Sequence, residues 1–345
     1  MRKIALAALP LLITAASGNA TPAPTEKVAM PAAQSPSYIK PANGAQPVAM
    51  PCTRACMEDL ADRFLKALAT HDPQGLPLAG TVRYTEMGQE IDLGDGLWGT
   101  ASDVGGYRHV FVDPAAGQIG MFATMKENGR PFVMGARLKV ELGRITEIET
   151  VLYRSGTGPA WNDAGVLALD KMQKPRDLWM TPAPEKRLSR QELVAIANSY
   201  FDAIQRNDGK GYYPFTPDCD RLENGVYTTN NPGLVKMGDV DIGGMTCKAQ
   251  FETGLYGVVT RVHHRRFLVV DEERNAVFAL GVFDHAGTIA ELTMPSGKKV
   301  DTGFFSRPSS ILIAEAFKIK GNLIQQVEAV GASVPYHSYP GWGER

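Results

Sequence analysis

The chain contains an internal repeat, and this feature constrains its fold more than any other. Residues 96–99 (Gly-Leu-Trp-Gly) recur as residues 254–257 (Gly-Leu-Tyr-Gly), and residues 96–113 align without a gap on residues 254–271. Further matches continue in the same order on both sides of this stretch. A duplication that keeps its order in this way predicts two homologous domains, each with its own core.

Length and the first residues indicate an exported protein of two domains. With 345 residues, 44% hydrophobic and 21% charged, the chain is long enough for about two domains. Residues 1–20 predict a signal peptide, with Arg2 and Lys3 ahead of an apolar run and small residues at its end. The run is too short to span a bilayer. We therefore expect a periplasmic or secreted protein without a membrane span.

The charge balance argues against a nucleic-acid partner. Once the predicted signal peptide is removed, 34 basic residues face 37 acidic ones, a net charge of −3. Nucleic-acid-binding proteins normally carry a basic surplus. We expect a small molecule, and no nucleic acid, as the partner.

Four cysteines in an exported chain favour disulfides. Cys219 and Cys247 bracket an insertion that the first repeat lacks, and a bridge between them would pin that insertion. The chain-entropy relation gives about 3–4 kcal/mol for a loop of that size. Cys52 and Cys56 stand four residues apart at the predicted start of a helix, where a bridge is geometrically awkward and stays an open alternative.

Local patterns divide the chain into segments. Residues 21–51 are rich in proline and predict a disordered tether. Residues 52–154 form domain 1, residues 155–188 a linker, and residues 189–342 domain 2, which carries two insertions. The insertions occupy residues 223–254 and 287–308.

Each domain begins with a helix and continues with strands, the order of an α+β protein. Apolar residues recur every fourth position from Cys56 to Leu68, and Ser189 with Glu192 forms a capping-box pattern before the second helix. We expect the strands to form a curved antiparallel sheet in each domain. The strands are predicted at residues 107–112, 118–125, 131–142 and 145–153, and at residues 267–270, 276–283, 311–319 and 323–330.

These elements resemble a known fold. A first helix, the strand Arg83-Tyr84-Thr85-Glu86, the Gly-Leu-aromatic-Gly element and the closing strands look like the nuclear transport factor 2-like cone of SnoaL-like proteins and ketosteroid isomerases. They also resemble a largely uncharacterised group of exported bacterial and fungal proteins. Such cones commonly pair sheet to sheet, so the resemblance implies two cone-shaped domains that pair internally as a pseudo-dimer within one chain.

One apparent cofactor motif is excluded by its context. Residues 94–99 fit a dinucleotide-binding fingerprint, but no β-α-β pattern surrounds them, and the second repeat lacks the first glycine. The chain also contains no familiar hydrolase signature. We therefore assign no cofactor.

The resemblance directs attention to polar side chains inside the cones. Ketosteroid-isomerase-like cones pair a carboxylate base with a phenol, roles that Tyr84 and Glu86 could fill on one strand face. Arg221 and Glu223 share the equivalent face of repeat 2. The alternative is structural: a glutamate present in both repeats would cap a turn or pair with an arginine such as Arg137.

Differences between the copies give a second set of candidates. Gly105 and Gly106 correspond to His263 and His264, and Lys126 and Glu127 correspond to Asp284 and His285, so repeat 2 has gained ionisable groups. A hairpin that places Val270 opposite Val277 would place His263 opposite Asp284, where the carboxylate would make the imidazole a better base. Adjacent strand residues face opposite ways, so we do not expect both histidines in one site. The alternative is a solvated basic face.

The remaining candidates are a metal site and aromatic side chains that could line a ligand pocket. A metal site could combine His263 or His264 with Asp284 and His285, but this spacing matches no closed zinc pattern, and we assign no metal. Aromatic side chains could wall or cover a pocket, or pack the core. The ligand-binding candidates are Tyr84, Glu86, Trp98, Tyr256, His285 and Trp342, with Tyr336, His337 and Tyr339 near the C-terminus.

Two functions therefore stay open. The first is an exported protein that binds a small apolar or aromatic molecule, with cofactor-independent isomerase, lyase or hydratase chemistry. Its catalytic residues would be Glu223, His263, Asp284 and Arg221. The second is a non-catalytic binding or scaffold module whose insertions contact a partner and whose cones are filled by their own side chains.

Overall fold

The computed structural model describes residues 52–158 and 160–343. The predicted signal peptide and tether lie outside these residues. No helix in the described ranges is both long enough and apolar enough to cross a membrane. We refer to residues 52–154 as repeat 1 and to residues 189–342 as repeat 2.

Repeat 1 opens with the predicted helix, α1 (Arg54–Thr70). The Thr53 side chain accepts a hydrogen bond from the Cys56 N–H, and the helix ends at His71, whose backbone is left-handed. Its apolar stripe packs on a six-stranded sheet. The other elements of repeat 1 are β1 (Leu78–Glu86), β2 (Gln89–Glu90), α2 (Leu97–Thr100), β3 (Ala101–Asp113), β4 (Gln118–Glu127), β5 (Arg130–Glu141) and β6 (Arg144–Arg154).

The linker contains a helix that the sequence did not predict, α3 (Ala160–Met172). Its Asp170 carboxylate accepts hydrogen bonds from the Gly106 N–H and the Thr124 hydroxyl, both at 2.6 Å. Trp179, farther along the linker, is buried against Phe111 at a ring-centroid distance of 5.5 Å. The linker is therefore packed onto the domains.

Repeat 2 has the same plan with extra elements. The predicted capping box forms at the start of α4 (Arg190–Gln205), where Ser189 and Glu192 exchange hydrogen bonds. The other elements are β7 (Phe215–Glu223), β8 (Val226–Tyr227), β9 (Lys236–Met237), β10 (Val240–Asp241), α5 (Cys247–Glu252), β11 (Arg261–Asp271), β12 (Ala276–His285), β13 (Glu291–Thr293), β14 (Lys299–Asp301), β15 (Ser309–Lys320) and β16 (Leu323–Val334).

Both large sheets are mixed, which corrects the expectation of antiparallel sheets. The strand orders are β2-β1-β6-β5-β4-β3 and β11-β12-β15-β16-β7-β8. Four strands of each repeat form an antiparallel meander, but β1 runs parallel to β6 and β7 runs parallel to β16. A parallel pair requires a long crossover connection, and here the meander itself is that connection.

Both disulfides are formed. The predicted Cys219–Cys247 bridge ties β7 to the start of α5 across a sequence separation of 28, so it pins the first insertion. The Cys52–Cys56 bridge, left open above, closes the start of α1. The two insertions of repeat 2 pack on each other, and Ile242, Met294 and Val300 form a small separate core between them. Two disulfides are consistent with an exported protein.

A shared apolar core joins the sheets of the two repeats. The rings of Phe122 and Phe278 come from different repeats, and their centroids lie 5.2 Å apart. Gly120 lies directly against the Phe278 ring, and Gly135 lies against Ala314, so a side chain at either glycine would collide with the other sheet. Small residues at these points let the sheets approach closely.

The contacts across this core are reciprocal. The Asp113 carboxylate at the end of β3 accepts the Val270 N–H at 3.0 Å. The Asp271 carboxylate, which occupies the same position in repeat 2, accepts the Val112 N–H at 3.3 Å. Both aspartates are buried. Each repeat thus supplies a carboxylate to the backbone of the other.

Two arginines form ion pairs with the same two aspartates across the interface between the repeats. Arg190, the first residue of α4, contacts Asp113 at 2.5 Å, and Arg54, the first residue of α1, contacts Asp271 at 2.5 Å. Burying a carboxylate is costly unless it is paired and hydrogen-bonded. Each aspartate accepts one backbone hydrogen bond within its own repeat, but its arginine partner and a further backbone hydrogen bond come from the other repeat.

Matched glutamates on β6 and β16 extend this pattern. Glu328 accepts hydrogen bonds from the Tyr107 hydroxyl at 2.8 Å and is paired with His109 Nδ1 at 2.7 Å, both from repeat 1. Glu149, its counterpart, accepts a hydrogen bond from Arg266 of repeat 2 at 3.0 Å. Burial raises the pKa of Tyr107 well above its usual value, and the neighbouring Glu328 adds to this shift. The interface between the repeats therefore combines an apolar centre with paired buried charges.

We predict that Asp113→Ala destabilises the protein by about 1–3 kcal/mol, because the Val270 N–H and Arg190 lose their acceptor. Asp271→Ala should have an effect of similar size. Urea unfolding monitored by circular dichroism measures both. Asp59→Ala removes an exposed carboxylate of α1 and serves as the control. Equal stabilities for Asp113→Ala and Asp59→Ala would contradict the prediction.

Candidate functional site

The four candidate catalytic residues lie on opposite faces of the repeat 2 sheet. Arg221 is directed toward α4 and contacts Glu223. Asp284 and Val282 lie two residues apart on β12, so their side chains are on the same face of the sheet. The Val282 side chain lies in the core shared with repeat 1. His263 contacts Asp284 on that second face. The structure therefore forms two pairs and does not bring all four residues into one site.

The first pair belongs to a polar cluster between α4 and the sheet. One Arg221 Nη donates a hydrogen bond to the Glu223 carboxylate, and Nη1 donates to Gln250 Oε1 at 3.0 Å. The Tyr256 hydroxyl donates to the same Gln250 oxygen at 2.9 Å. The Arg221 guanidinium also lies 4.9 Å from the centroid of the Tyr256 ring. Tyr256, a predicted ligand wall, is thus part of the surroundings of Arg221.

Two further members of this cluster, Glu315 and Tyr200, were missed by the sequence analysis. Glu315 lies on β15 between Ile313 and Phe317, which face the interior of repeat 2. Burial raises the pKa of Glu315 to about 8, although Arg221 acts to lower it. A glutamate inside the apolar run of residues 311–317 was a signal in the sequence that could have identified it.

Three polar atoms of this cluster make no hydrogen bond of good geometry in the described part of the chain, although the Tyr200 hydroxyl interacts with Glu315 and Arg221. They are the Tyr200 hydroxyl, Arg221 Nε and Glu315 Oε2. Tyr200 is fully buried, and burial raises the pKa of its phenol well above the usual value. Buried polar atoms are nearly always hydrogen-bonded, to water or a ligand where protein offers no partner. The cluster can therefore accept a further polar group. We refer to Tyr200, Arg221, Glu223 and Glu315 as the interior cluster.

Aromatic rings fill much of the space around the interior cluster. The Tyr200 ring lies 5.5 Å from the Phe251 centroid and 5.2 Å from the Phe317 centroid. Phe251 in turn contacts Tyr256 at 4.5 Å. The surroundings of the polar atoms are apolar and aromatic, which strengthens electrostatic interactions among them.

The equivalent glutamate of repeat 1 has structural partners. Glu86 Oε2 accepts hydrogen bonds from the Leu97 N–H at 2.6 Å and the Tyr84 hydroxyl at 3.2 Å, and Oε1 pairs with Arg154 at 2.6 Å. Glu86 therefore caps α2, the Gly-Leu-aromatic-Gly element, as the structural alternative expects. Its arginine partner is Arg154, and Arg137 pairs instead with Glu149.

Two other candidate walls of repeat 1 are packed. Trp98 is buried against Phe64, with the ring centroids 6.3 Å apart. Trp342 reaches repeat 1 from the C-terminal segment, where its Nε1–H donates to the Thr85 hydroxyl at 2.7 Å. The guanidinium of Arg83 lies 4.1 Å from the centroid of the Trp342 ring. Trp342 thus anchors the C-terminal segment to repeat 1.

The second pair, His263 and Asp284, forms in a strand register that the sequence did not predict. Val270 does lie opposite Val277, as expected, but two irregularities in β11 shift the register by two residues, so His263 lies opposite Val282. The His263 side chain still reaches Asp284 diagonally, with Nε2 3.1 Å from Oδ1. The expected contact exists, although the register behind it was wrong.

The two adjacent histidines lie together, which corrects a second expectation. His264 has a left-handed backbone (φ 48°), so strict alternation of side chains fails there. The Nδ1 atoms of His263 and His264 lie 2.5 Å apart as a result. His285, in contrast, points to the other face of β12, where its ring stacks on Phe305 at 4.5 Å, and burial lowers its pKa to about 4.

Asp284 is the centre of this second cluster. Its Oδ1 accepts a hydrogen bond from the Ser310 hydroxyl at 2.6 Å, and its Oδ2 lies 2.9 Å from His337 Nδ1. Burial acts to raise the pKa of Asp284, but hydrogen bonds from Ser310, His337 and His263 hold it below the usual value. Ser310 is fully buried and donates to the carboxylate, so this is not the arrangement of a serine nucleophile. We refer to His263, Asp284 and His337 as the His–Asp cluster.

Repeat 1 cannot form an equivalent cluster, because α3 occupies the corresponding place. Side chains at Gly105 or Gly106, the counterparts of the two histidines, would collide with Asp170 of α3. In repeat 2 the C-terminal segment carrying His337 follows the final strand instead. The two copies thus differ because α3 packs on this part of the sheet in repeat 1, whereas the C-terminal segment contacts it in repeat 2.

The fold and these clusters define a duplicated α+β protein with two six-stranded mixed sheets and two disulfides. The family model described as "Domain of unknown function (DUF8021)" matches residues 51–152 and 186–331, which are the two repeats. The chain belongs to this family. No curated protein matches it.

The pKa of Glu315 predicts a dependence of stability on pH. Because the folded-state pKa is raised from 4.5 to about 8, the neutral carboxyl contributes stability that is complete below about pH 4.5 and lost as the pH rises through about 8. Wild type should therefore lose stability relative to Glu315→Gln across this range. Urea unfolding at a series of pH values measures the difference, with Glu90→Gln as an exposed control. Parallel curves for wild type and Glu315→Gln would contradict the prediction.

Proposed function

We propose that each repeat is a nuclear transport factor 2-like cone and that repeat 2 binds a small apolar or aromatic molecule at the interior cluster. The first helix packed on a sheet, with polar residues directed between them, supports the cone assignment. Two disulfides and the predicted signal peptide support export to the periplasm or outside the cell. The function is thus that of an exported ligand-binding protein with acid–base chemistry.

The single observation that carries this proposal is the set of three buried polar atoms on Tyr200, Arg221 and Glu315 that lie close together without a hydrogen bond of good geometry. Each unsatisfied buried group costs about 1–3 kcal/mol, and a ligand oxygen placed among them would recover part of that cost. Arg221 and Tyr200 would donate to this oxygen. The aromatic rings nearby would contact the apolar body of the same molecule.

The chemistry follows from the different states of the two carboxyl groups. Glu315, with its pKa near 8, is mostly protonated at neutral pH and can donate a hydrogen bond or a proton to a developing enolate oxygen. The Glu223 side chain is 29% exposed and pairs with the Arg221 guanidinium, so it is the better candidate for the base. Removal of a proton by one group and donation of a proton by the other would support isomerisation, lyase cleavage or hydration without a cofactor.

The first insertion of repeat 2 lies against the proposed site. Gln250, which contacts both Arg221 and Tyr256, also donates hydrogen bonds to the carbonyls of Thr228 at 2.6 Å and Ile242 at 2.9 Å. The first insertion is therefore linked directly to the interior cluster. A ligand bound at the interior cluster would be covered by this insertion, which would exclude water from it.

A non-catalytic module is the second candidate, and the aromatic packing of the interior favours it. If Phe251, Phe317 and their neighbours leave no room for a ligand, the interior cluster is a structural network with a perturbed acid. The insertions or the outer surface would then contact a partner protein.

A thermal-shift screen separates the two functions. We expect a member of a library of small aromatic, steroid-like and polyketide-like compounds to raise the melting temperature of the oxidised protein. Glu315→Gln and Tyr200→Phe should reduce this shift, because each changes a group that contacts the ligand. Glu86→Gln, the matched change in repeat 1, should leave the shift intact relative to its own ligand-free melting temperature.

Two results would favour the structural alternative. One is a screen without a stabilising compound. The other is a shift that Glu315→Gln and Tyr200→Phe leave unchanged, which would place any ligand elsewhere. A hit should then be tested for enzymatic turnover, since binding alone does not establish catalysis.

A further inference from the structure

The His–Asp cluster lies on the opposite face of the sheet from the interior cluster, and its donor atoms converge. One donor atom from each of His263, Asp284 and His337 lies within 4.8 Å of the other two. The shorter contacts are 3.1 Å from His263 Nε2 to Asp284 Oδ1 and 2.9 Å from His337 Nδ1 to Asp284 Oδ2. We propose that these three residues bind one divalent transition-metal ion, with Zn²⁺ as the representative of the class.

The spacing fits such an ion. Nitrogen and oxygen ligands about 2.0–2.1 Å from a tetrahedral Zn²⁺ lie about 3.3–3.4 Å from one another. The observed contacts of 3.1 and 2.9 Å reach different oxygens of Asp284, and the three donor atoms lie within 4.8 Å of one another, so the imidazoles would have to rotate around one ion to reach this spacing. Imidazole nitrogens select zinc and similar transition metals over Mg²⁺ and Ca²⁺, which prefer an all-oxygen shell.

The residues behind the ligands hold them in place. Ser310 donates a hydrogen bond to Asp284 Oδ1 and accepts one from the His337 N–H at 2.8 Å, so it fixes two of the ligands. His263 Nδ1 lies 2.5 Å from His264 Nδ1, so a neutral His263 that carries its proton on Nδ1 can donate it to His264 and present the lone pair of Nε2 to a metal. Metal-binding histidines usually have such a partner on the other ring nitrogen.

The surroundings leave room for a further ligand. The His337 side chain is 53% exposed, so one side of the cluster is open to water, as in zinc sites with three protein ligands. Arg261 is the opposing charge, with Nε 3.8 Å from Asp284 Oδ2. Its side chain is half exposed and can turn toward solvent when a cation binds.

From the sequence, the set of His263 or His264 with Asp284 and His285 is assigned no metal because its spacing matches no closed zinc pattern. His285 faces the other side of β12, and the third ligand comes from His337, which lies 53 residues after Asp284. No local spacing pattern could reveal this set. Since Trp342 anchors the same C-terminal segment to repeat 1, a bound metal would also fasten that segment to repeat 2.

Isothermal titration calorimetry with Zn²⁺ tests the proposal on tag-free, chelator-treated protein with both disulfides intact. We expect one Zn²⁺ per chain and no comparable binding of Mg²⁺ or Ca²⁺. His337→Asn should weaken Zn²⁺ binding at least about tenfold, because it removes a ligand while asparagine tolerates the left-handed backbone of this position. Tyr336→Ala changes the neighbouring exposed side chain and should leave binding unchanged.

A second variant keeps the test valid if one of the two variants fails to fold. His263→Gln should weaken Zn²⁺ binding in the same way, and the metal-free melting temperatures of both variants show whether they remain folded. Absence of Zn²⁺ binding to wild type would overturn the proposal, as would wild-type affinity in both His337→Asn and His263→Gln. The cluster would then serve only to hold the C-terminal segment in place by hydrogen bonds.

Discussion

The exchange of carboxylates between the repeats is the interaction on which the rest of the structure depends. Asp113 and Asp271 each accept a backbone N–H and an arginine from the other half of the molecule. A lone repeat would leave both the buried carboxylate and the shared apolar core exposed. The duplication therefore creates a single unit, in which each sheet covers the other.

Divergence between the copies follows from this arrangement. In repeat 1, Glu86 is fully engaged in capping α2, and α3 lies against Gly105 and Gly106. Repeat 2 has instead gained two insertions, a buried acid at Glu315 and a His–Asp cluster. A duplicated scaffold can keep one copy for stability while the other acquires polar groups that cost stability. This distribution is the physical basis for our proposal that the function resides in repeat 2.

The sequence predicted the repeat, both first helices, most strand positions and the Cys219–Cys247 bridge, because periodicity, capping and spacing are local signals. It failed where the answer depends on contacts distant in sequence. The parallel pairing of β1 with β6 joins strands at the two ends of a repeat, and the irregularities of β11 arise inside a strand that otherwise alternates. Of the candidate site, Arg221, Glu223, His263 and Asp284 do have polar partners, and His337 was a candidate pocket wall. The contact of His337 with Asp284 and the interactions of Tyr200 and Glu315 with Arg221 emerged only from the fold.

The central claim is that the two repeats form one cooperative unit, and differential scanning calorimetry of the oxidised protein tests it most directly. If the shared core and the exchanged carboxylates hold the halves together, unfolding is a single transition in which the calorimetric enthalpy equals the van't Hoff enthalpy. Two resolved transitions, or a calorimetric enthalpy about twice the van't Hoff value, would mean that the repeats unfold independently and would contradict the account.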